Sequence, residues 1–321
     1  RNRKGEGKRA FGPAFLFLSF LSFYFSIFIF LFLFEIETKQ RELRQSMQGL
    51  LCFDYDRTLL DHATGKIPQS ALEAIKRARP FWKIAIATGR DMRLPDSLYG
   101  METVKPDALI HMNGARVLAE GALLCQFSWP KDVLARVVAF AAERGLCVGC
   151  QVGTTYYTTN EKALRNVFQK GIYAPPERIL PAEELLKTEI SALVLLGPAE
   201  DAARLQQAFP ALSVLPFAHS EGADIVPYHL SKADGMRRLC DYYGFVPEQV
   251  VVFGDSSNDL ELFSAAGWSV AMGNAIPEVK KAADYVTKPI DEDGIAYAME
   301  VLGLLDGQTP SRAPGKQPKK G

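Results

Sequence analysis

Leu50-Leu-Cys-Phe-Asp54-Tyr-Asp56-Arg-Thr58 decides the fold: an apolar run, Leu50 to Phe53, leads directly into a pair of carboxylates. An unbroken apolar run of this length suits a strand buried on both faces of a parallel sheet. The acids then stand at its C-terminal end, where two carboxylates at i and i+2 can project from one loop into the same crevice. One can attack as a nucleophile while the other exchanges a proton with the leaving group. A carboxylate attacking a phosphate dianion needs its charge neutralised, which implies a divalent cation. Mg²⁺ prefers oxygen ligands from one or two carboxylates, completed by water and phosphate.

Working outward, the same pattern repeats. Ser70–Arg79 carries apolar residues at helical spacing (Ala71, Leu72, Ile75, Ala78), and Lys83–Ala87 is a second buried strand, ending at Thr88-Gly89-Arg90. Ala108–Met112 is a third, ending at Asn113-Gly114; Val250–Phe253 a fourth, ending at Gly254-Asp255; Trp268–Met272 a fifth, ending at Gly273-Asn274. Strands alternating with helices predict a parallel α/β sheet. In such a sheet ligands bind at the C-terminal edge, near the point where strand order reverses. Glycine and aspartate also end strands for purely structural reasons, but five strands with acids, amides or hydroxyls at one edge point to a site. The residues between Ala115 and Asp224 have their own helix (Val133–Arg144) and strand (Ile190–Leu196) patterns. They are long enough for a second small domain inserted between the third and fourth strands.

Further groups suit a transferring phosphoryl group. A second acidic cluster, with Asp255 and Asp259 after the fourth strand, can supply the other metal ligand. Thr88 and the N–H of Gly89 can donate to phosphate oxygens, and Asn258 can donate an amide N–H. Lys232, opening the helical run Lys232–Tyr242, can balance both the phosphate and the nucleophilic aspartate. Singly these signals are weak, because Thr-Gly is common and a lone lysine is usually a solvated surface residue.

Together, Asp54-Tyr-Asp-Arg-Thr58, Thr88-Gly-Arg90, Asn113-Gly-Ala115, Ser231-Lys232 and Gly254-Asp-Ser-Ser-Asn-Asp259 resemble the motifs of the haloacid dehalogenase superfamily. Gly273-Asn-Ala275, Glu278-Val-Lys-Lys, Ala283-Asp284 and Glu292-Asp-Gly294 narrow the likeness to its Cof-like, type IIB phosphatase branch, from about Gln48 to Gly303. The resemblance implies a Rossmann-like doubly wound parallel-sheet core with an inserted α+β cap domain. It makes Asp54 the nucleophile that forms an aspartyl-phosphate, and Asp56 the general acid/base, also binding Mg²⁺ through its backbone carbonyl. Asp255 becomes the second carboxylate ligand and Asp259 its support, while Thr88, Gly89, Lys232 and Asn258 hold the phosphate. One departure is visible: the family usually has glycine where Arg57 stands, so a side chain here could line the entrance and alter selectivity. The short spacing from Asp54 to Thr88 leaves no room for a domain after the first strand, so the cap is of the C2 type, after Asn113-Gly114. The expected divisions are an extension at 1–46, core at 47–116 and 222–303, cap at 117–221 and a disordered tail at 304–321.

The implied activity is Mg²⁺-dependent hydrolysis of a small phosphomonoester, with sugar phosphates or related metabolites as the expected partners. A sugar phosphomutase is the enzymatic alternative, and a non-catalytic Mg²⁺- or phosphoryl-binding regulatory module is the alternative from another class. Other chemistry finds less support. Cys147-Val-Gly-Cys150 has redox or zinc spacing but no second pair, and reads as packing. His62, His111, His219 and His229 show no metal-ligand spacing; His229, near Lys232, reads as a surface or capping residue. No G-x-S-x-G elbow, Walker loop or dinucleotide fingerprint is present.

Composition sets the outer bounds. The 321 residues are 48% hydrophobic with 37 basic and 37 acidic side chains, which excludes a disordered chain and argues against a nucleic-acid binder. Five cysteines do not make a disulfide scaffold and suit a reducing, cytoplasmic setting. Zero net charge is an average over unlike parts: residues 47–303 hold 25 basic and 32 acidic groups. Ten of the 20 phenylalanines fall between Phe11 and Phe34, behind a basic stretch with Arg1, Arg3, Lys4, Lys8 and Arg9. That segment is long enough to span a bilayer, and as an anchor would make a single-pass membrane protein. Its Phe, Leu and Ser share pyrimidine-rich codons, so the leading expectation is a translated non-coding tract ahead of a start at Met47; a core helix is third. Gly307–Gly321, rich in Pro, Gly and Lys, reads as disordered.

Overall fold

Leu50, Leu51, Cys52 and Phe53 are all fully buried in strand β1 (Gly49–Phe53), as their unbroken apolar run requires. The structure is a computed structural model that describes residues 29, 47–169, 176–218 and 220–310. After β1 come α1 (Gln69–Ala78), β2 (Trp82–Ala87), α2 (Leu98–Val104), β3 (Ala108–His111), β4 (Arg116–Ala119) and β5 (Ala122–Gln126). The middle of the chain forms α3 (Lys131–Glu143), β6 (Val148–Val152), β7 (Thr155–Thr158), α4 (Glu161–Gln169) and β8 (Arg178–Pro181). It continues through β9 (Leu193–Leu195), α5 (Ala199–Ala208), β10 (Leu212–Pro216) and β11 (Ala223–Pro227). The last part holds α6 (Lys232–Tyr243), β12 (Val250–Gly254), α7 (Leu260–Ala265), β13 (Trp268–Ala271), α8 (Pro277–Ala282), β14 (Tyr285–Val286) and α9 (Gly294–Val301).

These strands make two sheets, ordered β14-β13-β12-β1-β2-β3-β4-β5 and β10-β11-β9-β6-β7-β8. From β14 to β3 the first sheet is parallel. The fold is therefore the expected α/β class with a Rossmann-like doubly wound core. The chain leaves β1 for β2 and β3 on one side, then returns as β12, β13 and β14 on the other. The loops after β1 and β12 thus adjoin at the reversal point, where such sheets open a crevice.

Packing follows from the sequence pattern. Phe53 and Phe253 stack with ring centroids 4.8 Å apart across β1 and β12. Helix α1 buries Ala71, Ile75 and Ala78 as its spacing predicts, with Ala74 as the fourth buried residue and the expected Leu72 only half-buried. In α6, Gly235 lets the helix approach β3: a Cβ there would stand 2.4 Å from Ile110 Cγ2. The second sheet has a separate core in which Leu134, Val137, Val138 and Ala141 of α3 pack with Val148, Leu193, Leu195 and Ile225. Burying each large apolar side chain contributes roughly 1.5–3 kcal/mol against the entropy of folding.

Three expected boundaries shift. Strands β4 and β5 pair antiparallel beyond β3, so the first sheet runs on to Gln126 rather than stopping at residue 116. The hairpin closes on Glu120 (φ 50°) and Gly121 (φ 81°), a two-residue left-handed turn whose Glu-Gly sequence is a weaker signal than Asn-Gly. Strand β11 pairs with β10 and β9, so residues up to Pro227 belong to the second sheet and not to the first. The residues that open the expected tail are also packed. Leu304 and Leu305 are buried, and the Trp82 indole N–H donates to the Leu304 carbonyl at 3.0 Å.

The proposed anchor at Phe11–Phe34 lies outside the described residues apart from Ile29, as do residues 311–321 and His219. Among the described residues no helix is long and apolar enough to cross a membrane.

Candidate active site

Asp54 is the first residue beyond β1, and its position is fixed by its backbone: its N–H donates to the Phe253 carbonyl at 2.9 Å. The residue is 4% exposed, and its side chain accepts a 2.6 Å hydrogen bond from Lys232 Nζ. The Lys232 side chain is fully buried, and its ammonium also donates to Asp259 Oδ1 at 2.7 Å. Ser231 caps α6 by accepting from the Asp234 N–H, placing Lys232 at the first helical position. The other oxygen of Asp259 accepts from the backbone N–H groups of Asp255 and Ser256, tightening the loop after β12. Thr58, also fully buried, donates to Asp255 Oδ1 at 3.5 Å.

One carboxylate oxygen from each of Asp54, Asp255 and Asp259 falls within 4.8 Å of the others, and all three residues are buried. Burial pushes the Asp54 carboxyl up to about 7 despite Lys232, with Asp259 adding to the rise. Asp255 goes further, to about 9, through burial first and then the charges of Asp54 and Asp259. For Lys232, burial alone would favour the neutral amine, but the two carboxylates outweigh it and hold the ammonium well above its ordinary value. Ionising all three buried acids against one buried cation would leave excess negative charge, which is why Asp54 and Asp255 hold their protons more tightly than usual. An all-oxygen donor set of this kind fits a hard divalent cation.

Asp56 differs. Its carboxylate is held by cations, with Arg90 gripping both oxygens at 2.7 Å and His62 at 2.6 Å from Oδ1. Burial would raise it, but the hydrogen bonds from His62 and Arg90 hold its carboxyl well below the usual range. Thr88 is buried at the end of β2, and its hydroxyl oxygen accepts from the Arg90 N–H at 3.1 Å. Gly89 has no room for a side chain, since a Cβ would stand 2.4 Å from Asp224 Oδ2 and 3.2 Å from Asn113 Nδ2.

The loop after β3 completes the edge. Met112, Asn113 and Gly114 have φ of 52°, 51° and 88°, a run of left-handed residues that turns the chain back over β2. The Met112 and Asn113 N–H groups donate to the carbonyls of Arg90 and Thr88 at 3.0 Å. The Asn113 amide then bridges two parts of the chain, donating to Asp224 Oδ2 at 2.7 Å and accepting from Asn258 Nδ2 at 3.2 Å. Asp224 sits on β11 of the second sheet, and burial raises its carboxyl to about 6 despite the Asn113 hydrogen bond and the Lys232 charge.

Above this floor is a cavity of about 710 Å³. Asp54, Asp56, Thr88, Gly89, Asp255 and Asn258 line it, together with Gln151, Tyr156, Phe168, Glu177, Glu189 and Phe217 from the insertion. Of the sequence-derived site residues, Lys232 and Asp259 are not on the lining. They lie among the buried partners of Asp54, so Lys232 acts on the aspartate side of the balance expected of it. Sequence reasoning missed Arg90, His62 and Asp224 as functional groups. Arg90 and Asn113 stood within quoted motifs, whereas nothing in the spacing of His62 or Asp224 signals their partners. The Cys147-Cys150 pair shows packing roles: both are buried free thiols, in the separate apolar clusters on the second sheet. His229 is exposed, with its ring edge-on to Phe127 at 6.0 Å, and is not on the cavity lining.

Known proteins resemble this chain over most of its length. The sequence profile of haloacid dehalogenase-like hydrolases matches residues 51–299. The chain is 32% identical over 259 residues to YkrA of Bacillus subtilis, covering 80% of this chain and 98% of YkrA. It is 27% identical to the 5-amino-6-(5-phospho-D-ribitylamino)uracil phosphatase YitU of Bacillus subtilis, covering 77% and 94%. Among solved structures, the HAD subclass IIB sugar phosphatase BT4131 superposes with a TM-score of 0.72 at 28% identity, covering 80% of this chain and 99% of that one. BT1666 from Bacteroides thetaiotaomicron, a phosphatase of the same superfamily, gives 0.74 at 27%, covering 81% and 96%.

Proposed function

The chain belongs to the haloacid dehalogenase-like hydrolases and is a phosphatase of their Cof-like branch; from that premise we propose Mg²⁺-dependent hydrolysis of small phosphomonoesters through an aspartyl-phosphate on Asp54. The observation that carries this reading is the placement of Asp54: at the reversal point of the sheet, 2.6 Å from a buried ammonium and facing a large cavity.

In the first half-reaction an Asp54 carboxylate oxygen attacks phosphorus, the ester P–O bond breaks, and the leaving oxygen takes a proton from Asp56. Water then attacks the aspartyl-phosphate, gives a proton to Asp56, and releases phosphate with Asp54 restored. Lys232 keeps Asp54 ionised and aimed, countering the burial that would neutralise it. Arg90 and His62 hold Asp56 as the ionised base suited to the second half, so donation in the first half requires the Arg90 grip to loosen. Thr88, Gly89 and Asn258, which line the cavity, hold the phosphoryl oxygens in this reading. Asp54, Asp255, the Asp56 backbone carbonyl and, in support, Asp259 would hold Mg²⁺, which supplies charge neutralisation at the phosphoryl group when bound.

The second sheet and its helices serve as the cap, excluding water and contacting the part of the substrate beyond the phosphate. A cavity of about 710 Å³ is of the size used for small metabolites. The names of BT4131 and YitU support sugar phosphates and related metabolites as the substrate class. The test is p-nitrophenyl phosphate turnover with Mg²⁺ and with a chelator. Release that needs Mg²⁺ and vanishes in Asp54→Asn supports the reading, and metal-independent release contradicts it.

A further inference from the structure

Arg57 stands between Asp56 and Thr58 with φ 61°, the left-handed region where a side chain is strained and glycine is at ease. The conformation is fixed from both ends: the Arg57 N–H donates to the Leu60 carbonyl at 2.9 Å, and its own carbonyl accepts from Asn274 Nδ2 at 2.8 Å. A residue kept against backbone strain beside an active site points to a use for its side chain.

Arg57 lines the cavity, as do three other basic residues. Each of those already has a carboxylate: Arg90 and His62 hold Asp56, and Arg93 holds Asp91. Among the described residues, the Arg57 guanidinium makes no hydrogen bond or ion pair. Its planar fork of donors matches a carboxylate in two parallel bonds. Chain adjacency puts it beside Asp56, at the level of the reacting groups. The cavity acids Glu177 and Glu189 come from the insertion and repel an anion placed toward them.

Resting on the phosphatase reading, we propose that Arg57 is a specificity-determining residue that pairs with a carboxylate carried by the substrate a few bonds from its phosphate. The substrate class becomes small phosphorylated hydroxy acids, in preference to neutral polyol phosphates of the same size.

The test uses a matched pair, 3-phosphoglycerate and glycerol 3-phosphate, which differ by a carboxylate in place of a hydroxymethyl group. Wild type is expected to favour 3-phosphoglycerate in kcat/KM by roughly tenfold to a hundredfold, the worth of a hydrogen-bonded charge pair. Arg57→Gly, whose backbone suits this φ, is expected to fold and to erase the preference, mainly through KM. Arg57→Lys is expected to keep part of it. Equal or reversed preference in wild type, or a preference that survives Arg57→Gly, overturns the proposal. Wild-type hydrolysis of p-nitrophenyl phosphate separates the two possible failures. If it persists without the preference, only the role of Arg57 falls; if it is absent, the phosphatase reading falls and takes this inference with it.

Discussion

Lys232 reaches from the first turn of α6 to Asp54 at the end of β1, a 2.6 Å contact between residues 178 positions apart in the chain. Both are buried, so the contact ties the helix to the sheet at the reacting carboxylate. Removing one partner of a buried pair leaves the other charge uncompensated and costs about 3–5 kcal/mol. Lys232→Met is therefore expected to lower the melting temperature sharply near neutral pH without metal. The loss should shrink in acid, where the aspartates pick up protons, and on adding Mg²⁺. Thermal melts with and without Mg²⁺ check this; a loss insensitive to both pH and Mg²⁺ would count against an electrostatic role.

The acidic cluster also sets a pH dependence. Asp54 and Asp255 start from an ordinary value of 3.8 and are raised to about 7 and about 9. Between these limits the folded state binds more protons than the unfolded state, so metal-free stability falls as pH rises from about 4 to about 9. Asp56 is shifted the other way, and its contribution is lost only as pH falls below its unfolded value. Metal binding displaces protons from the raised acids, so the stabilisation by Mg²⁺ should grow over the same window. Denaturant titrations across pH, with Mg²⁺ and with chelator, read both slopes; a metal-free stability that climbs through this window contradicts the assignment.

General acid help matters most for poor leaving groups. Asp56→Asn is expected to lower kcat by about 10²–10⁴ on an alkyl phosphate and much less on p-nitrophenyl phosphate, whose phenolate leaves readily. Steady-state kinetics on the two esters decide it. Equal losses on both would remove the acid role and leave Asp56 only the base of the second half-reaction, which both esters share.

The expected core was legible because its strands are buried on both faces and so read as apolar runs, each ending in a polar motif. Asp54, Thr88, Lys232 and Asp255 were placed by strand and helix ends alone. The edge of the first sheet and the second sheet were less legible. Strand β5, at the edge of the first, has no buried residue, and β9, in the second, is three residues long, so neither carries a period that separates it from a loop. The partners of Asp56 were hidden for another reason: its contacts with Arg90 and His62 depend on side-chain direction, which spacing does not encode. Asp224 is the extreme case, since its role arises only when β11 meets the loop after β3.

That loop offers a further test. Gly114 has φ 88°, and a Cβ there would stand 2.1 Å from the backbone carbonyl oxygen of Ser231, the residue before Lys232. Gly114→Ala must move either the loop or the start of α6, and is expected to cost about 1–3 kcal/mol of stability and to lower kcat as well. Denaturation and kinetics on the same variant show whether the two effects travel together. A variant as stable and as active as wild type removes the argument for tight coupling here.

The central claim is that Asp54 carries the phosphoryl group. The most direct measurement is acid quenching during turnover of a radiolabelled phosphate ester, followed by peptide mapping. Label is expected on the peptide holding Asp54 in wild type, and nowhere in Asp54→Asn, which should also be inactive. Turnover with no label on that peptide, or with Asp54→Asn as active as wild type, would contradict the account.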